Sequence, residues 1–131
     1  MNRTKKTLVA ALAAVSMQAA AQTTRLVPMD YSVQIPQDWP KLEERLTIAD
    51  KPTIARWCQM PPHIAARADS CAVLDFRYEL CMIYATSEDP DVIKHEREHC
   101  AGYSHQGEGR RALDAWERWK QNRKQDAITH R

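Results

Sequence analysis

The chain lacks an apolar run long enough to cross a membrane. The apolar stretch at residues 7–17 is much shorter than the ~20 residues that a membrane-spanning helix needs. Three cations precede this stretch, and three alanines, residues 19–21, follow it. A positive start, a short apolar segment and a small-residue end are typical of a secretory signal peptide; a buried N-terminal helix is the alternative. We therefore predict a signal peptide at residues 1–21 and a periplasmic or secreted mature chain without a membrane span.

The chain also lacks a strong excess of charge of one sign. The full sequence has 19 Lys and Arg residues against 17 Asp and Glu residues. Residues 1–21 contain three cations and no acid, so that the mature chain has 16 cations against 17 acids. Proteins that bind nucleic acid usually present a basic surface to the phosphates. The mature chain therefore gives no indication of a nucleic-acid partner.

No two cysteines form a C-x2-C pair. Such pairs build four-thiolate zinc sites, so a site of that kind is a weak alternative here. The four cysteines are instead widely spaced: Cys58, Cys71, Cys81 and Cys100. An even number of cysteines in an exported chain predicts two disulfides, for which three pairings exist.

Internal repeats and low-complexity tracts are absent as well. The mature chain, residues 22–131, has the length of one domain. In its first half, alternating apolar residues predict a strand at 31–35, and apolar residues at helical spacing predict a helix at 42–49. A second short helix is predicted at 53–59, stopped by the prolines at 61 and 62.

The second half of the chain predicts a β-hairpin. Residues 71–76 and 80–85 are apolar segments of strand length, and three residues separate them. So short a connection favours antiparallel pairing. A charged last helix is predicted at 108–125, with Leu113 and Trp116 on its apolar side. Together these elements predict an α+β fold in one small domain.

A helix follows directly after the hairpin. Asp89 is a suitable N-cap, and Pro90 fits the first turn of a helix. Gly102 tolerates the left-handed conformation in which many helices end. We therefore predict a helix from Pro90 to about Ala101 that stops at Gly102.

This helix carries the residues with the clearest chemistry. His95 and His99 are four residues apart, so their imidazoles project from the same face about one turn apart. That spacing suits two of the four positions around a zinc ion. The turn at Gly102 allows His105 to supply a third nitrogen. Glu96 lies beside the site without being a ligand, where it can hydrogen-bond a zinc-bound water.

Residues 95–105 resemble the signature of the metzincin zinc metalloproteases, H-E-x-x-H-x-x-G-x-x-H. The matching positions are His95, Glu96, His99, Gly102 and His105. The resemblance to metzincins is local to this motif. The chain is also similar to small exported bacterial proteins that carry one such motif. The metzincin resemblance implies that the three histidines bind zinc and that Glu96 is the general base.

Cys100 lies next to the motif but on another side of the helix. It is about 100° around the helix from His99 and close to Ile93, which points it to the interior. We favour a disulfide between Cys100 and Cys81, which leaves Cys58 to pair with Cys71. The swapped pairings remain open, as does a role for Cys100 as a fourth, inhibitory zinc ligand.

The sequence therefore favours a zinc-dependent hydrolase that acts on a peptide or protein substrate. The alternative is a non-enzymatic zinc protein of the bacterial envelope that contacts another envelope protein. A third hypothesis, a disulfide-held adaptor without metal, requires the motif to be accidental. The hydrolase hypothesis depends on Glu96, because a purely structural zinc site needs no base beside it.

Overall fold

The computed structural model describes residues 26–129, so the predicted signal peptide at residues 1–21 lies outside the described residues. In chain order the elements are β1 (Glu43–Ile48), α1 (Lys51–Trp57), α2 (Pro62–Ala65), β2 (Ser70–Asp75), β3 (Leu80–Ala85), α3 (Pro90–Cys100) and α4 (Arg111–Thr129). The strands form one sheet in the order β1-β3-β2. The protein is thus a small α+β fold, as predicted. Among the described residues, no helix has the length and apolar character that crossing a membrane requires.

The predicted hairpin is confirmed. Strands β2 and β3 are antiparallel, with Ser70 opposite Ala85 and Asp75 opposite Leu80. The short turn between them includes Glu79, whose φ is 53°. Hydrophobic burial fixes this register, because a shift by one residue would turn the buried Cys81 and Ile83 to the opposite face.

The helix predicted at 42–49 is wrong, because this segment forms strand β1. It runs parallel to β3 and pairs along its whole length, from Glu43 opposite Leu80 to Ile48 opposite Ala85. All six residues of β1 are exposed. Burial of an apolar helix face would therefore contribute little stabilisation to this segment. The edge of β3 opposite to β2 supplies hydrogen bonds instead, and this tertiary pairing overrides the helical spacing.

The strand predicted at 31–35 is also wrong. Residues 31–33 form turns, and only an isolated bridge between Met29 and His105 pairs this part of the chain. Two of the side chains that suggested a strand instead lie against the turn that follows α3. The Tyr31 ring meets the Tyr103 ring, and Ile35 packs at Gly102.

The helix predicted at 53–59 exists with different bounds. It begins at Lys51, because the Asp50 carboxylate accepts a hydrogen bond from the Thr53 amide at 2.9 Å and caps it. It ends at Trp57. The following prolines do not only terminate a helix: Pro62 opens the one-turn α2, where a missing amide hydrogen has no cost.

The helix predicted at 90–101 is confirmed as α3. The Asp89 carboxylate accepts a hydrogen bond from the Asp91 amide at 2.9 Å, and Pro90 is the first helical residue. The buried residues of α3 recur every four positions: Val92, Glu96 and Cys100. This stripe lies on the sheet and leaves the neighbouring side of the helix for the histidines.

The core lies between the sheet, α3 and α4. It contains buried side chains from each of them: Leu42, Phe76, Cys81, Ile83, Cys100 and Trp116. The last helix starts at Arg111, three residues later than predicted, and buries Leu113 and Trp116 as expected. The two disulfides, Cys58–Cys71 and Cys81–Cys100, are the pairs that we favoured from the sequence. The second of them ties α3 to the central strand of the sheet.

Candidate metal centre

Three histidines converge at the C-terminal end of α3. His95 and His99 are one turn apart on the helix, and His105 returns from the loop that follows it. One nitrogen from each ring lies within 4.8 Å of the other two, which makes the cluster able to hold a metal ion. All three side chains are partly buried. The three predicted ligands are therefore brought together.

The loop that brings His105 back towards α3 begins at Gly102, where two hydrogen bonds close the C-terminus of the helix. The Gly102 amide donates to the His99 carbonyl at 3.0 Å, and the Tyr103 amide donates to the Glu98 carbonyl at 3.1 Å. This is the Schellman arrangement, in which the residue after the cap is left-handed. Gly102 has a φ of 102°. The chain then reverses within three residues and reaches His105.

A second segment, which the sequence did not point to, fixes His105 from the other side. The Gln106 amide donates to the Pro28 carbonyl, and the Asp30 amide donates to the Ser104 carbonyl, both at 2.9 Å. Met29 lies between them, buried, and bridges His105. The N-terminal residues of the described chain therefore hold the third histidine in place.

The facing atoms of the three rings are the Nε2 nitrogens. His105 Nε2 lies 2.9 Å from His95 Nε2 and 3.0 Å from His99 Nε2. Nitrogens bound to zinc at about 2.1 Å in a tetrahedron are about 3.4 Å apart, so small outward shifts of the rings accommodate the ion.

The opposite nitrogens of two rings are hydrogen-bonded to groups that only accept. His99 Nδ1 lies 2.8 Å from the Tyr103 carbonyl oxygen, and His105 Nδ1 lies 3.0 Å from Glu108 Oε1. Both Nδ1 atoms therefore carry the hydrogen, so Nε2 of each ring has a free lone pair whenever the ring is neutral. Two such lone pairs, facing each other at 3.0 Å, repel, and a cation between them removes the conflict. The donor set therefore fits a metal.

The electrostatic environment keeps two of the rings neutral. Burial, together with the nearby His99 and His105, lowers the pKa of His95 to about 4. Burial also lowers the pKa of His99. Neutral imidazole is the form that binds a metal. At neutral pH the cluster therefore presents ligands rather than three repelling cations.

Glu96, the residue after His95, is buried where α3 faces the start of strand β2. Its side chain is 4% exposed, and its Oε1 accepts a hydrogen bond from Ser70 Oγ at 2.7 Å. The second oxygen, Oε2, is buried and has no hydrogen-bond partner among the described residues. Burial raises the pKa of Glu96, against opposing effects from Ser70 and from the charge of His105. A buried carboxylate oxygen without a partner is costly and needs an explanation.

Ser70 and Glu108 are the two side chains that the sequence reasoning missed. Ser70 begins β2, far from the motif along the chain. Glu108 lies three residues after His105, and that spacing was the one available signal for it. Tyr103 contributes its backbone carbonyl, while its ring packs against the ring of Tyr31, whose hydroxyl donates to Glu98.

The cysteines take no part in the centre. All four are paired in disulfides, which excludes the four-thiolate zinc site and the role of Cys100 as a fourth ligand. Cys100 is 5% exposed and points into the core, as its helical position predicted. His63 is exposed at α2 and lies outside the cluster.

Comparisons with known proteins provide no relative for this chain. No protein-family model, no curated protein and no solved structure matches it. What can be said of function therefore depends on the geometry of the three histidines and of Glu96.

Proposed function

We propose that this protein is an exported zinc-dependent hydrolase, and that its substrates are peptides or proteins. The observation that carries the proposal is the buried Oε2 of Glu96, one residue from His95 and without a partner. A purely structural zinc site gains nothing from such an atom. A hydrolytic site needs one, because a base must take a proton from water as that water attacks the substrate.

A zinc ion held by His95, His99 and His105 would polarise the scissile carbonyl and lower the pKa of water. Glu96 then takes a proton at Oε2 and passes it to the leaving nitrogen. Ser70 holds Oε1 at 2.7 Å and so restricts the carboxylate to one orientation. The raised pKa of Glu96 makes its carboxylate a better base near neutral pH.

The sheet offers a place for an extended substrate next to Glu96. Strand β2 begins at Ser70 and, within the described part of the chain, pairs with β3 on one side only. Extended peptides bind at free strand edges through main-chain hydrogen bonds. A peptide along β2 would pass the residue that contacts Glu96. This geometry favours a peptide over a small-molecule substrate.

The proposal includes export to the periplasm or the medium. Two disulfides are typical of proteins in oxidising compartments. The signal peptide predicted from residues 1–21 agrees with this assignment.

The test is hydrolysis of a mixture of peptides by the zinc-loaded, disulfide-bonded protein, compared with Glu96→Gln and Glu98→Gln. Glu98 is a neighbouring carboxylate of α3 that lies on another side of the helix. We expect Glu96→Gln to retain one zinc per chain and to lose activity by 10²-fold or more. We expect Glu98→Gln to retain activity. Full turnover by Glu96→Gln would show that the mechanism is wrong.

A second candidate function is a zinc-binding accessory protein that contacts another envelope protein. One observation favours it: two surface hollows in the described part of the chain, of about 440 and 350 Å³, lie at Val33–Gln37 and along α4, and none of the three histidines lines either. Neither hollow therefore offers a substrate pocket at the three histidines. One bound zinc per chain, with no hydrolysis of any peptide, would select this function.

A further inference from the structure

Glu108 contacts the metal centre from outside the motif. Its Oε1 lies 3.0 Å from His105 Nδ1, on the side of the ring opposite to the cluster. The same ring presents Nε2 to both other histidines, at 2.9 and 3.0 Å. His105 is therefore held between a carboxylate on one side and the proposed metal position on the other.

We propose that Glu108 is a positioning residue of the metal centre, which fixes the orientation and tautomer of His105 so that Nε2 is the ligand atom. This inference rests on the metal centre of the proposed function. Metal-binding histidines commonly donate their second N–H to a carboxylate or a carbonyl, which fixes the ring and makes it a stronger ligand. Here His105 uses a carboxylate and His99 uses the Tyr103 carbonyl.

His105 needs this support more than the other two histidines do. His95 and His99 belong to α3, whose backbone and whose disulfide to β3 fix their positions. His105 belongs to a loop, in which its backbone is tied down by the bridge to Met29. The backbone bridge places the residue but leaves the imidazole ring free to rotate. The bond to Glu108 removes that freedom.

The contact differs from an ordinary surface ion pair. The His105 side chain is 21% exposed and that of Glu108 is 38% exposed, so the pair is partly shielded from water. A carboxylate oxygen accepts hydrogen bonds, so His105 Nδ1 is the donor in this 3.0 Å contact.

The inference predicts a specific loss of metal affinity. Replacement of a carboxylate that supports a metal-binding histidine usually weakens binding by 10- to 100-fold. We expect Glu108→Ala to bind one zinc per chain with an affinity lower by that factor. Glu108→Gln, which can still accept from Nδ1 but has no charge, should show a smaller loss. Glu98→Gln is the matched control, because it removes a charge near the cluster without touching His105.

The experiment measures zinc dissociation constants by competition with a chromophoric chelator, for the wild type and these three variants. Long-range ¹H–¹⁵N NMR spectra of the metal-free proteins report the tautomer of His105. We expect the Nδ1–H form in the wild type and a mixture of tautomers in Glu108→Ala. Unchanged zinc affinity in Glu108→Ala, with the Nδ1–H form retained, would overturn the inference.

Failure of the proposed function would look different. If the wild type bound no zinc, the metal centre itself would be wrong, while the tautomer of His105 would still report whether Glu108 orients the ring. If Glu108→Ala failed to fold, as judged by circular dichroism, Glu108→Leu, which also removes the acceptor but keeps more of the side-chain volume, would take its place. Zinc affinity and a His105 tautomer equal to those of the wild type in Glu108→Leu would then overturn the inference.

Discussion

Ser70 and Glu96 meet across the interface between the sheet and α3. The Ser70 hydroxyl donates to one carboxylate oxygen of Glu96 at 2.7 Å, and the other oxygen remains buried without a partner. The pair joins the start of β2 to the middle of α3. The sheet thus holds Glu96 in a fixed place beside His95, and an unpaired acceptor is left for a proton or a water.

The first prediction concerns the pH dependence of stability in the metal-free protein. Burial raises the pKa of Glu96 above 4.5 in the folded state. Below pH 4.5 both states hold the proton, and the carboxyl group carries no penalty. As the pH rises, the unfolded state loses the proton more readily, so the free energy of unfolding falls. Glu96→Gln, which cannot ionise, escapes this loss.

We therefore expect Glu96→Gln to gain stability relative to the wild type as the pH rises from 4.5 to 7. Urea unfolding at several pH values measures the difference. Saturation with zinc should reduce it, because a nearby cation stabilises the carboxylate. A difference that does not change with pH would show that Glu96 is not held in a buried, charge-disfavouring environment.

The second prediction concerns Gly102. A Cβ atom there would lie 3.2 Å from the Ile35 side chain and 3.2 Å from the Trp39 ring, and the backbone φ is already 102°. Gly107 is the matched control, since its φ of 85° imposes similar strain but nothing lies within 4 Å. We expect Gly107→Ala to cost about 1–2 kcal/mol from the left-handed backbone alone.

Gly102→Ala should cost more, about 2–4 kcal/mol, because crowding adds to the backbone strain. It should also weaken zinc binding, since the turn at Gly102 directs the chain to His105. Chemical denaturation and chelator competition measure the two effects. Equal costs for both alanine variants would mean that close packing at Gly102 contributes nothing.

The sequence predicted the centre better than it predicted the surrounding fold. The helix spacing of His95 and His99 and the turn at Gly102 are local properties, so the motif determined how the three rings converge. The direction of Cys100 on its helix, a local property, favoured the observed disulfide pairing but left the swapped pairings open. Strand β1 could not be predicted in this way, because its pairing with β3 joins segments about 37 residues apart.

Ser70 and Met29 were missed for the same reason. Ser70 lies 26 residues before Glu96, and Met29 lies far before His105, so nothing in the local sequence links them to the motif. Glu108 is different, since it lies three residues after His105. A carboxylate three residues after a predicted metal-binding histidine indicates a possible hydrogen-bond partner for it, although the position is not part of the motif.

The third prediction compares the two disulfides. Cys81–Cys100 joins α3 to β3 with a sequence separation of 19, and Cys58–Cys71 has a separation of 13. Loops of these lengths predict similar stabilisation, about 3 kcal/mol each, so either pair of alanine replacements should lower stability to a similar degree. Only loss of Cys81–Cys100 should also weaken zinc binding, because α3 carries two of the ligands.

Unfolding in urea and zinc competition distinguish these effects. Measurements at a temperature where both variants remain folded separate affinity from stability. If loss of Cys58–Cys71 weakened zinc binding as much as loss of Cys81–Cys100, the position of α3 would not depend on its own disulfide.

The central claim is that His95, His99 and His105 hold one zinc ion, and its most direct test is the zinc content of the purified, disulfide-bonded protein. His99→Ala removes one ligand, while His63→Ala, at an exposed position outside the cluster, is the matched control. We predict one zinc per chain in the wild type and in His63→Ala, and no tightly bound zinc in His99→Ala. A wild type without metal after exposure to zinc at neutral pH, or full zinc content in His99→Ala, would contradict the claim.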